Sequence, residues 1–127
     1  MNETLVAIHD YYKAFSTLDL DACVPFFTLP SMFIGLRGTF AVASREDLAR
    51  ALGPTIEALK TKDYQRSEYI EPQLTTLTEN TALVRGVAAR YRVSGAELER
   101  VPVSYLMHRT GAAWKIAVVA AALNFIV

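Results

Sequence analysis

Residues 80–123 constrain the fold more than any other stretch. They read as three consecutive strands over 82–93, 101–109 and 114–122. Ser94-Gly95-Ala96 and Thr110-Gly111-Ala112 supply the turns between them. Runs rich in Val, Tyr and Ile, joined by short Gly-bearing loops, are the signature of an antiparallel meander. Side-chain alternation assigns the faces. Val101, Val103, Tyr105 and Met107 share one side, and Pro102, Ser104 and His108 share the other. The first strand is apolar on both sides: Ala82, Val84, Gly86 and Ala88 precede Arg90 and Arg92 on one, while Leu83, Val87, Ala89 and Tyr91 flank Arg85 on the other. Two apolar faces require two covers. Helices supply one, and a second copy of the chain is the natural candidate for the other.

Bulk composition narrows the function classes. At 127 residues the chain is read as one domain, with enough length to bury a core. A hydrophobic content of 52% with 20% charged residues excludes a disordered chain. Lys plus Arg numbers 13, equal to Asp plus Glu, so there is no basic surplus to hold a phosphate backbone, and no nucleic-acid partner is expected. The opening Met-Asn-Glu-Thr lacks the charged and apolar regions of a signal peptide. The apolar run 116–127 is shorter than the roughly 20 residues needed to span a bilayer. Cys23 is the only cysteine and has no internal partner, which fits a reducing compartment. These points together predict a cytoplasmic protein without a membrane partner.

Ahead of the meander, residues 3–18 place Leu5, Ile8, Tyr11, Tyr12, Phe15 and Leu18 on one helical arc. Asp19 caps a short helix over 20–27, distorted by Pro25. Residues 31–36 and 39–43 read as short strands. Ser44 with Asp47 resembles a capping box that opens a helix over 45–59, which Gly53-Pro54 should kink or split. Residues 64–77 read as a long strand, with Pro72 marking an edge or a bulge. Helices segregated from consecutive strands give an α+β domain. Its curved, mainly antiparallel sheet wraps around the helices as a cone. The space between sheet and helices is where a ligand would lie.

Three features carry a family resemblance. Tyr11-Tyr12-Lys13-Ala14-Phe15 leads into Asp19-Leu20-Asp21; Ser44-Arg45-Glu46-Asp47-Leu48 opens the third helix; and Tyr105-Leu106-Met107-His108-Arg109-Thr110-Gly111 runs on to Trp114-Lys115-Ile116. In this order and spacing they resemble the nuclear-transport-factor-2-like (cystatin-like) superfamily, which includes ketosteroid isomerases, SnoaL-like polyketide cyclases and scytalone dehydratase. The resemblance covers nearly the whole chain and implies the cone fold. It also implies isomerase, lyase or cyclase chemistry by proton transfer if the protein is an enzyme. Residue by residue, the isomerase set transfers poorly. Tyr11 occupies the position of the first-helix tyrosine, but Gly35 stands where the general base would be, and Val101 or its neighbours where the second oxyanion donor would be. The inward histidine pair of scytalone dehydratase has no match, since only His9 and His108 are present and strand parity turns His108 to the polar face.

Candidate site residues are Tyr12, Phe33, Glu68, Arg85 and Tyr105. Tyr12 lies near the centre of the helix's apolar arc and Tyr105 on the apolar side of its strand; each is either a core tyrosine with one partner or a pocket donor. Glu68 shares an alternating face with Tyr64, Arg66, Ile70 and Leu74, which makes it the leading inward carboxylate and a speculative base. The competing reading is a solvated carboxylate paired with Arg66 or Arg85. Arg85 either reaches into the pocket or belongs to an outer, subunit-facing surface. No metal-ligand spacing and no Gly-rich phosphate loop occurs, so no cofactor is expected. Cys23 reads as an inert buried thiol. The apolar end Leu123-Asn124-Phe125-Ile126-Val127 is expected to pack on the sheet or on a partner. Two functional readings follow. One is a homodimeric cone binding a small hydrophobic or carbonyl-bearing molecule, with or without proton-transfer catalysis. The other is a non-catalytic binding or assembly module whose cone is filled by its own side chains.

Overall fold

The computed structural model describes residues 2–123. Helix α1 (Glu3–Ser16) is followed by α2 (Leu20–Cys23) and a 3-10 turn over Val24–Phe26. Strands β1 (Phe27–Gly35) and β2 (Gly38–Val42) precede helix α3 (Arg45–Leu59). Four long strands complete the chain: β3 (Tyr64–Thr78), β4 (Thr81–Arg92), β5 (Glu97–Thr110) and β6 (Ala113–Ala121). The strands form one curved, unclosed sheet in the order β2-β1-β6-β5-β4-β3, antiparallel except where β1 runs parallel to β6. The expected α+β architecture is therefore present, with β3, β4, β5 and β6 pairing in sequence order as the meander required.

The helices cover one face of the sheet. Helix α1 crosses β3 and reaches β6, α2 bridges α1 and α3, and α3 lies beside β2. Asn2 caps α1 by accepting hydrogen bonds from the Thr4 and Leu5 amides (2.8 and 3.2 Å). The buried stripe Ile8, Tyr11, Tyr12 and Phe15 has the spacing of a single helical face. Ser16 fixes the helix to the sheet: its hydroxyl donates to the Tyr12 carbonyl (2.7 Å) and accepts from the Ser67 amide (2.9 Å). Phe33, Ile8, Leu48, Leu59, Met107 and Ile116 are fully buried between the layers. Each of these contributes about 1.5–3 kcal/mol by leaving water.

Several boundaries differ from the sequence reading. β1 begins at Phe27, ahead of Pro30, and holds a cis Leu29–Pro30 bond; its pairing with β6 is irregular between Phe27 and Met32, where the proline sits. Helix α3 runs unbroken through Gly53-Pro54. Pro54 is on the exposed side, where water can take the carbonyl that the ring leaves without a donor. Ser44 does cap α3, accepting from the Asp47 amide at 3.1 Å, and Asp47 accepts from the Ala43 amide at 3.0 Å. The apolar chain end beyond Leu123 lies outside the described residues. The Leu123 carbonyl accepts from the Leu36 amide at 2.9 Å.

Candidate functional site

Between the sheet and the helices lies a cavity of about 40 Å³. Its walls are mainly aromatic and aliphatic, from α1 (Tyr11, Tyr12, Phe15), β1 (Phe33) and the inner faces of β4, β5 and β6. Small-molecule pockets commonly run to about 300–1,000 Å³. The space is therefore suited to a ligand of a few heavy atoms rather than a fused-ring system.

Two tyrosines give the cavity its chemistry. Tyr12 comes from the buried stripe of α1 and Tyr105 from the inward face of β5, and their hydroxyl oxygens are 2.6 Å apart. Their rings meet edge to face at 6.3 Å, and the Tyr69 ring packs against both, at 5.2 and 5.3 Å. Burial raises the Tyr12 hydroxyl well above its usual range, with the Tyr105 hydrogen bond pulling the other way. Burial also raises Tyr105, reinforced by its tyrosine neighbours. Both hydroxyls therefore stay protonated at ordinary pH, acting as donors rather than bases. A tyrosine carries one hydroxyl proton. In this pair one proton is shared between the two oxygens, and the other has no acceptor among the described residues. Tyr69 is already committed, donating to the Val103 carbonyl at 2.7 Å.

Of the sequence candidates, Tyr12, Phe33 and Tyr105 come together on the cavity wall. Glu68 and Arg85 do not. Glu68 is exposed on the outer face and pairs with Arg66 at 2.6 Å. The alternation that pointed it inward is broken by a β-bulge between Tyr64 and Arg66. That extra residue leaves Tyr64 on the same side as Ser67, to which its hydroxyl is bonded at 2.7 Å, and turns Arg66 and Glu68 outward. A second irregularity between Ile70 and Gln73, with Glu71 at φ 54°, resets the phase again. Arg85 is also outward, donating to Gln73 at 3.3 Å. As a result, no carboxylate or imidazole lines the cavity among the described residues.

Arg90 was not among the sequence candidates, yet it is 7% exposed and lines the same cavity. It donates to Glu99 at 2.9 Å, and its guanidinium stands over the Phe15 ring at 5.7 Å. Two signals could have found it: Arg90 shares the inward parity of Val84, Gly86 and Ala88, and Glu99 is its cross-strand partner in the hairpin. Cys23 is buried, its thiol pushed up to about 12 by burial, with Asp19 adding to the effect. That leaves it inert at neutral pH. Among the described residues, no three His, Cys, Asp or Glu side chains are grouped to hold a metal ion, and no helix is long and apolar enough to cross a membrane.

Residues 2–124 match the family model of the NTF2-like protein family DUF6841. The chain belongs to that family. Solved structures agree at the level of fold. An NTF2-like protein with a cystatin-like fold from Novosphingobium aromaticivorans superposes with a TM-score of 0.75 at 20% identity, covering 95% of this chain and 79% of that one. An NTF-2-like protein from Shewanella oneidensis gives 0.71 at 14% identity, covering 95% and 97%. A ketosteroid isomerase-like protein from Erwinia carotovora atroseptica gives 0.66 at 16% identity, covering 94% and 92%. No curated protein matches. At these identities the likeness is one of fold, and a shared scaffold does not carry a shared function.

Proposed function

We propose that this NTF2-like protein binds a small, largely apolar molecule in the cone cavity and holds an acceptor oxygen of that molecule, such as a carbonyl, on the Tyr12–Tyr105 pair. The observation that carries the reading is the hydroxyl proton of that pair with no protein acceptor among the described residues, in a wall that is otherwise mostly apolar. A buried donor left without a partner is unfavourable by about 1–3 kcal/mol, and a ligand oxygen would recover that energy. Proton-transfer catalysis with Glu68 as base is no part of the proposal, because that carboxylate is on the other side of the sheet. The pair instead supplies binding and polarisation of a carbonyl.

Thermal-shift and calorimetric titration with short-chain ketones and their matched hydrocarbons tests this. The ketone should bind about fivefold more tightly than the hydrocarbon, the worth of one hydrogen bond. The Tyr12→Phe/Tyr105→Phe double variant should bind both equally. Each single variant retains one donor and should keep part of the preference. Absence of binding by any member, or a ketone preference that persists in the double variant, would count against the proposal.

A second reading, compatible with the first, is homodimerisation through the outer sheet face. Met32 and Ile34 on β1 are 37% and 38% exposed. In register Met32 continues through Val118 on β6 and Leu106 on β5 to Leu83 on β4. A contiguous apolar stripe of this kind suits a self-complementary two-fold contact. Light scattering coupled to size exclusion should give twice the chain mass, and Leu106→Arg should return it to the monomer mass with an unchanged circular dichroism spectrum. A wild-type protein that stays monomeric at high concentration would end this reading.

A further inference from the structure

Arg90 has one hydrogen-bond partner among the described residues, the Glu99 carboxylate. A guanidinium has five N–H donors in a planar fork. Its Nε is fully buried with no acceptor among the described residues. Glu99 itself is at the rim, with 37% of its side chain exposed against 8% for Arg90. A buried guanidinium with a single hydrogen-bond acceptor, at the edge of a cavity, has N–H donors left for an oxygen of a ligand. Arg90 lines the same cavity as Tyr11, Tyr12 and Tyr105.

We infer that the cavity ligand is a small monocarboxylate, its carboxylate received by Arg90 and the Tyr12–Tyr105 donor together, and its short hydrocarbon body set against Phe33 and Val119. This inference rests on the cavity-binding reading above and adds the charge and class of the ligand. Carboxylate is the planar complement of a guanidinium and accepts from a phenol at the same time. Arg90 is the one cationic residue of the wall among the described residues, and it already faces Glu99 at the exposed rim. A monoanion therefore adds the least negative charge that can meet the guanidinium, and a dianion such as phosphate would add twice as much to an apolar site. The apolar wall calls for hydrocarbon on the rest of the ligand, and the volume of about 40 Å³ keeps it short.

Calorimetric titration of the full chain with propionate and isobutyrate, against propionamide and isobutyramide, tests the inference. Acid and amide have nearly the same shape, so their ratio reports charge recognition. The acids should bind about tenfold more tightly than the amides, as expected for hydrogen bonds to a charged group. Arg90→Met should abolish that preference. Because Arg90→Met acts at a buried site and leaves Glu99 unpaired, Glu99→Gln provides a second test at an accessible position. Freed from its competing carboxylate, Arg90 should bind the acids several-fold more tightly, with amide binding unchanged. Equal binding of acids and amides by the wild-type protein would overturn the monocarboxylate inference while leaving the cavity-binding reading intact. An acid preference unaffected by both variants would also overturn it. Binding of neither class would remove both.

Discussion

Gly86→Ala should destabilise the protein by about 2–3 kcal/mol, a large effect for a single added methyl group. Gly86 is on β4 opposite Val103, with the Tyr69 ring lying directly over it. An alanine Cβ there would be 2.6 Å from the Tyr69 Cζ, 2.8 Å from its hydroxyl oxygen and 2.9 Å from Cε2. The ring has nowhere easy to go: it is held between Tyr12 and Tyr105, and its hydroxyl is bonded to the Val103 carbonyl. Moving it costs overpacking strain of about 1–3 kcal/mol and weakens a buried hydrogen bond worth about 1 kcal/mol. The lower backbone entropy of alanine offsets about 0.5–1 kcal/mol of this. Urea denaturation of the variant measures the loss directly. The double variant Gly86→Ala/Tyr69→Leu should show a favourable coupling of at least about 1 kcal/mol, since the clash then has no ring to meet. A Gly86→Ala protein within about 0.5 kcal/mol of wild type would show that Tyr69 does not rest on this glycine. The same substitution should disturb the candidate site, because the displaced ring is the one that packs on both members of the tyrosine pair.

Alkaline pH should unfold the protein steeply. Tyr11, Tyr12, Tyr69 and Tyr105 are all raised above the ordinary tyrosine value, in each case first of all by burial. In the unfolded chain they titrate near pH 10. Below that pH both states hold the proton, and the stabilisation is fully present. Above it the unfolded chain releases protons that the folded chain retains, so the unfolded state binds fewer protons and stability falls as pH rises toward the folded-state values. Each such tyrosine contributes a slope of up to about 1.4 kcal/mol per pH unit, and four together approach about 5. Against a typical total of about 5–15 kcal/mol, that is enough to unfold the chain within roughly one to three pH units above 10. Thermal melts between pH 8 and 12, read with tyrosinate absorbance near 295 nm, should show tyrosinate appearing together with loss of structure. The Tyr12→Phe/Tyr105→Phe variant should lose about half of the slope. Smooth tyrosinate formation in a chain that keeps its circular dichroism spectrum would mean that these rings are not held as described.

The comparison of Glu68 with Arg90 separates what was legible in the sequence from what was not. Both were assigned to faces by strict alternation. On β5 alternation holds over the inward set Val101, Val103, Tyr105 and Met107, all buried, because the extra residue at the irregularity between Leu106 and Met107 falls on the partner strand β6. On β3 alternation fails, because each bulge inserts a residue and inverts the faces beyond it. A bulge of this kind leaves only a weak trace in sequence: Pro72 hinted at one, but nothing marked the first, beside Tyr64. Arg90 is hard to read from sequence for a related reason. An arginine at the end of an apolar run reads as the point where a strand leaves the core, and only the pairing with Glu99 across β5 shows that the charge is carried inside.

By itself the sequence determined the element types and most of their order, the meander, the apolar stripe of α1, the Ser44 cap of α3 and the inward set of β5. These depend on local propensity, capping chemistry and short-range periodicity, all written in neighbouring residues. The tertiary structure alone decided the parallel pairing of β1 with β6, the phase of β3, the meeting of Tyr12 and Tyr105 hydroxyls and the enclosure of Arg90. Each of these joins residues far apart in the chain, or turns on a single bulge. They are set by how the layers close on one another, which local pattern does not encode.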